Sequence, residues 1–106
     1  MKATIFNLKI LFSITDERFL YFIFNNMLKE SGFNIVNYCK KQFAKYGYTG
    51  LWLLCESHFA IHTFPEENST YIELSSCVEE YYNNFKKKIF DEYKENIIKY
   101  EETLMK

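Results

Sequence analysis

An α+β fold is predicted, a two-layer sandwich whose mostly antiparallel sheet carries two helices on one face in the order βαββββα, and three features of the sequence predict it. Short runs alternate apolar and polar residues with a period of two. Two longer stretches repeat their apolar residues every three or four positions. The length of 106 residues suits one core without an internal linker, so residues 1–106 are assigned to a single domain. With 48% apolar and 25% charged residues, three glycines and one proline, the chain has the makeup of a folded protein rather than a disordered one.

Leu8, Ile10, Phe12 and Ile14 alternate with Asn7, Lys9, Leu11 and Ser13, which predicts a first strand over residues 5–14. Thr15 stands as the cap of a helix over residues 16–31. Asp16 and Glu17 place carboxylates at the positive end of its dipole, and Leu20, Ile23, Phe24, Met27 and Leu28 form one apolar stripe. Gly32 occupies the place of a left-handed terminator. Residues 33–43, with Ile35, Val36 and Tyr38, read as a second strand, Tyr46-Gly47-Tyr48 as a turn, and Leu51-Trp52-Leu53-Leu54-Cys55 as a third strand. His58 to Phe64 alternates until Pro65 stops it, residues 66–69 make a polar loop, and Tyr71-Ile72-Glu73-Leu74 completes five strands. From Val78 onward Tyr82, Phe85, Ile89, Tyr93, Ile97, Tyr100 and Leu104 recur at helical spacing with no glycine or proline between them. That pattern predicts one long amphipathic helix whose last turns overhang the sheet.

Charge and cysteine usage narrow the function classes. Thirteen basic against fourteen acidic side chains leave a net charge of −1, which lacks the long-range field of a nucleic-acid binder. Cys39, Cys55 and Cys77 cannot all pair within one chain and match no zinc pattern, so free thiols in a reducing cytoplasm are expected. The N-terminal apolar stretch is read as structure rather than a signal peptide, since Asn7 and Lys9 interrupt it. The apolar run Phe19 to Phe24 is far short of the roughly 20 residues that span a membrane. Eleven Phe and nine Tyr are more than one small core hides easily. Apolar residues also fall on both faces of the first and third strands, Leu11 opposite Ile10 and Leu53 opposite Trp52. A homodimer formed by sheet-on-sheet packing is expected from this.

Reactive side chains concentrate in residues 55–66, Cys-Glu-Ser-His-Phe-Ala-Ile-His-Thr-Phe-Pro-Glu, joined at a distance by Thr49 and Cys77. His58 and His62 share a face of the strand, while the placement of Ser57 relative to His62 depends on the turn between strands. The same residues also fit a bland account, with Ser57 in a turn, His62 a hydrogen-bonded strand histidine and Cys77 an inert small residue before a helix.

Glu56-Ser57-His58-Phe59-Ala60-Ile61-His62-Thr63-Phe64-Pro65-Glu66 resembles the signature of the prokaryotic-type S-adenosylmethionine decarboxylases, Glu-Ser-His-x-x-Ile-His-Thr-Trp-Pro-Glu. The likeness runs on without a gap to Ser76-Cys77, where the family has Thr-Cys, and back to Tyr46-Gly47-Tyr48-Thr49-Gly50, where it has Tyr-Gly-x-Ser-Gly. The resemblance implies a self-made cofactor, a covalent pyruvoyl group derived from Ser57 by cleavage between Glu56 and Ser57. It implies that His62 handles the proton during processing, that Thr49 stands for a processing serine, and that Cys77 is the general acid of turnover. The pyruvoyl carbonyl would form a Schiff base with the substrate amine and act as the electron sink for decarboxylation of S-adenosylmethionine, which feeds spermidine synthesis. Phe43 and Phe64 map to apolar rings of the site and Glu66 to the carboxylate for ribose hydroxyls, although Phe43 equally suits a core and Glu66 a solvated loop. The chain departs from the pattern at Phe64 for tryptophan, Glu67-Asn68-Ser69 for Tyr-Gly-Tyr, Val78 for glycine, and Leu11 near a family carboxylate. Two alternatives therefore stand beside the first reading, a pyruvoyl-dependent arginine or ornithine decarboxylase and an unprocessed, non-catalytic partner subunit.

Overall fold

The computed structural model describes residues 3–43, 45 and 47–106. Its strands are β1 (Ile5–Phe12), β2 (Asn37–Gln42), β3 (Tyr48–Leu54), β4 (Ser57–Phe64), β5 (Ser69–Ser76) and β6 (Ile97–Met105), and its helices are α1 (Glu17–Ser31) and α2 (Glu79–Tyr93). The strands form one sheet in the order β2-β3-β4-β5-β1-β6, every neighbouring pair antiparallel. Both helices lie on one face. Leu8, Ile10, Phe12, Trp52, Phe59, Ile61, Ile72 and Leu74 project there to meet Leu20, Phe24, Leu28, Tyr82, Phe85 and Ile89 in a single core. Burying each such side chain contributes about 1.5–3 kcal/mol, so the period-two pattern of the strands decides which face the helices cover.

The predicted architecture holds, with one strand added and one helix shortened. The long C-terminal helix ends at Tyr93, a 3₁₀ turn over Lys94–Asn96 follows, and the chain returns as β6 along β1. Helical spacing alone missed this because β1 has a second edge, whose amide and carbonyl groups need partners. Only the assembled sheet exposes that need. The turn is pinned by Ser13, whose N–H donates to the Asn96 carbonyl at 2.8 Å. Beyond it, Tyr100 packs edge-on against Phe90, and Glu102 accepts from the Tyr82 hydroxyl and Lys86. Lys99, Glu101 and Thr103 alternate onto the other face, a period of two that the helical reading overlooked.

Smaller corrections are local. Asp16, not Thr15, caps α1, its carboxylate accepting from the Phe19 N–H at 2.9 Å. Gly32 ends the helix with φ 116°, as expected. The first strand stops at Phe12 and the second starts only at Asn37, while Phe33 is buried in the core. In the expected turn, Tyr46 lies outside the described residues. Gly47 has φ +77° and sits where a β-carbon would collide with the Thr63 carbonyl oxygen, and Tyr48 already belongs to β3. The expected polar loop at residues 66–69 is a 3₁₀ turn, Pro65–Glu67, closed by Asn68 at φ 52°, with Ser69 opening β5. Cys55 is not a strand residue: it lies in the two-residue turn between β3 and β4 with φ +62°. Among the described residues, no helix is long and apolar enough to cross a membrane.

Candidate functional site

The expected site residues divide between two regions of β4. Ser57 is its first residue, paired with Leu54 across the turn made by Cys55 and Glu56, both exposed. Alternation from Phe59 and Ile61 turns the Ser57 side chain toward the helices, where it is only 2% exposed. Its hydroxyl donates to Ser76 Oγ at 3.2 Å. Ser76, itself fully buried, accepts from the Val78 N–H at 3.0 Å and so closes the start of α2. Cys77, half-buried and free, is the next residue along the chain, at the bend between β5 and α2. Folding therefore gathers Ser57, Ser76 and Cys77 at one end of the sheet.

His62 stands elsewhere. Five residues further along β4, it is about 16 Å from Ser57 along the strand, and it projects from the opposite face. On that open face it lies across from Thr49, and Thr49 Oγ1 and His62 Nδ1 share a hydrogen bond of 2.9 Å whose direction follows the tautomer of the ring. Tyr71 of β5 stacks on the imidazole, ring centroids 6.0 Å apart and planes 20° from parallel. The Tyr71 hydroxyl donates to Glu73 at 2.8 Å, and Asn7 Nδ2 donates to the other oxygen of that carboxylate, also at 2.8 Å. Partial burial, reinforced by the Glu73 carboxylate, pushes the Tyr71 phenol up to about 12. Burial works to raise Glu73, but the hydrogen bonds from Asn7 and Tyr71, with the charges of Lys9 and His58, outweigh it and hold the carboxyl below its ordinary value. His58 lies on the same face, exposed, between Leu53 and Ser75.

Phe43, Phe64 and Glu66 cluster by position at the His62 end. Phe43 follows β2 and its N–H donates to the Gly47 carbonyl at 3.1 Å. Phe64 closes β4, and Glu66 lies in the exposed 3₁₀ turn. Phe43 is 51% exposed and Phe64 42%, so neither ring is core. Within one chain, then, Thr49 and His62 meet, Ser57 bonds the residue that precedes Cys77, and the two groups stay apart. Sequence reasoning passed over Ser76, Tyr71, Glu73 and Asn7 as site residues. Tyr71 and Glu73 share the strand parity that puts His62 on the open face, a signal available once β4 and β5 are paired. Leu11, at the position expected near a carboxylate, pairs with Tyr71, and the carboxylate that Tyr71 bonds is Glu73 of its own strand, β5.

Over 67 residues the chain is 42% identical to S-adenosylmethionine decarboxylase proenzyme 2 of Bacillus cereus, a match that covers 62% of this chain and 54% of that one. Over 64 residues it is 36% identical to the S-adenosylmethionine decarboxylase proenzyme of Prochlorococcus marinus, covering 60% and 51%. The chain thus spans about half the length of the curated relatives it matches. The crystal structure of the adenosylmethionine decarboxylase from Aquifex aeolicus superposes with a TM-score of 0.76 at 16% identity, over 97% of this chain and 88% of that one, a likeness of fold. The S-adenosylmethionine decarboxylase family model matches residues 11–103, which hold both helices, β2 to β5 and most of β6, and on that ground the chain belongs to this family.

Proposed function

We propose that the chain is a proenzyme that cuts itself between Glu56 and Ser57, converts Ser57 into a pyruvoyl group and then decarboxylates S-adenosylmethionine to the aminopropyl donor of spermidine synthesis. The observation that carries the proposal is the placement of Ser57. A buried, hydrogen-bonded hydroxyl stands directly after a two-residue turn whose other residues are exposed. Cutting there leaves the fold intact: residues 1–56 keep β1 between β5 and β6 of the second fragment, and β3 stays paired with β4. The two fragments interlock.

Ser57 Oγ attacks the Glu56 carbonyl carbon, the Glu56–Ser57 C–N bond breaks and the hydroxyl proton ends on the Ser57 nitrogen, giving an ester isomeric with the original amide. Loss of the Ser57 α-proton to a base breaks the Cβ–O bond, leaving a Glu56 carboxylate and dehydroalanine, and water replaces its nitrogen, released as ammonia. Ser57 fits the group, since the new terminus would sit where its side chain is already enclosed, against Ser76 and one residue along the chain from Cys77. A pyruvoyl group supplies a carbonyl that condenses with an amine and takes up the electrons released as carbon dioxide leaves. Cys77 is proposed to return the proton to substrate. Phe43 and Phe64 lie at the His62 end, too far from Ser57 of the same chain to share one substrate with it. It is therefore a second copy's exposed Phe43 and Phe64 that are proposed to offer stacking faces for adenine, and its Glu66 a carboxylate for ribose hydroxyls.

A homodimer is part of this reading. His62 of the same chain is too far from Ser57 to take its α-proton. The open face carries Leu51 and Leu53, 43% and 47% exposed, beside the Thr49–His62 pair. Packing two open faces in opposite senses would cover these leucines and carry one copy's His62 toward the other's Ser57. The free thiols suit a reducing cytoplasm. Intact-mass spectrometry tests the proposal, with fragments ending at Glu56 and beginning at Ser57 as the expected result and a single uncut chain as the refuting one. Release of labelled carbon dioxide from arginine or ornithine rather than S-adenosylmethionine would move the substrate but keep the chemistry.

A further inference from the structure

We infer that Ser76 is a positioning residue for self-cleavage, fixing the Ser57 hydroxyl as the donor to Ser76 Oγ and so leaving its lone pairs free. The inference rests on the processing step proposed above and on the hydrogen-bond inventory of one buried hydroxyl. A serine hydroxyl has one proton to give and two lone pairs to receive. Ser76 Oγ gives its proton to the Val78 carbonyl at 3.3 Å and accepts from the Val78 N–H at 3.0 Å. One lone pair remains, and Ser57 Oγ lies 3.2 Å from it. Because Ser76 has no second proton, Ser57 can only donate. Its own lone pairs are then free of any bond from Ser76 and available for attack.

Water cannot easily reverse this arrangement, since Ser57 is 2% exposed and Ser76 is fully buried. Val78 holds the device in place through both its backbone groups, and its N–H is one of the free donors at the start of α2, so the helix end and the nucleophile are set by the same oxygen. In the step itself the Ser57 proton passes to the Ser57 nitrogen as the C–N bond breaks, and Ser76 contributes orientation without gaining or losing an atom. A helix-capping role alone would give Ser76 an effect on stability but none on cleavage of the folded chain.

The test compares Ser76→Thr with Ser76→Val, side chains of one shape that differ in the hydroxyl, with Ser76→Ala as the second hydroxyl-free variant should valine overfill the site. Fragment formation by folded protein is followed by intact mass, thermal melting is measured in parallel, and each sample is treated with hydroxylamine, which cuts esters and spares amides. The expected result is cleavage by Ser76→Thr within about threefold of the parent and by the hydroxyl-free variants at least about tenfold slower, with no hydroxylamine-labile ester accumulating, because the block precedes the ester. Cleavage of Ser76→Ala or Ser76→Val at the parental rate overturns the inference, as does accumulation of the ester in either. A parent chain that never yields fragments overturns the proposed function itself and this inference with it.

Discussion

The two halves of β4 prepare their side chains in opposite ways. At Ser57 the side chain is buried, and its hydroxyl belongs to a short chain of bonds from Ser57 through Ser76 to Val78. At His62 the surface is half-open, and the imidazole is held by Thr49 on one side and by the Tyr71 ring on the other, with Glu73 and Asn7 behind. A buried nucleophile gains a fixed attack geometry, whereas a proton carrier must meet whatever comes to its face. Ser57 is thus held entirely by groups of its own chain, whereas the Thr49–His62 pair faces open surface.

Removing the proposed nucleophile should have the largest effect. Ser57→Ala is expected to abolish both chain cleavage and carbon dioxide release, and any residual decarboxylation would break the pyruvoyl mechanism. Next, His62→Ala should slow cleavage by about a hundredfold or more. Refolding it together with Ser57→Ala should restore cleavage of the His62→Ala chains, which keep Ser57 and borrow a histidine. No recovery would mean that the two regions do not meet across copies. Cys77→Ala sharpens the contrast from the other side: fragments should still form, at least in part, while turnover of S-adenosylmethionine falls about a hundredfold.

The smallest effect concerns the support behind His62. Glu73 is held below the ordinary value of 4.5, so the native state keeps its charge to lower pH than the unfolded chain does. Its contribution is fully present above the ordinary value and is lost as pH falls through the native one. Urea midpoints of the parent and Glu73→Gln should therefore differ at neutral pH by about 1 kcal/mol or less and converge below pH 4.5. A difference that widens on acidification would show that the carboxylate is not stabilised by Asn7 and Tyr71.

Much of this molecule was legible in the residues taken alone. Alternation in β1 and β4 and the stripe of α1 are local patterns, and each survives because the face they mark is the face the core covers. The motif around Ser57 was legible for the same reason, being contiguous in the chain. What lay beyond local pattern was partnership. Ile97 to Met105 carries helical spacing and strand alternation at once, and nothing within those residues chooses between them.

The choice fell to β1, whose unpaired edge is a property of the finished sheet and of no segment within it. The same holds for Ser76, an unremarkable serine until pairing sets it against Ser57, and for His62, whose distance from Ser57 follows from strand rise and side-chain parity once both lie in one strand. Local chemistry was written in the chain. Which groups face one another was decided only when backbone hydrogen bonds and burial had to be satisfied together.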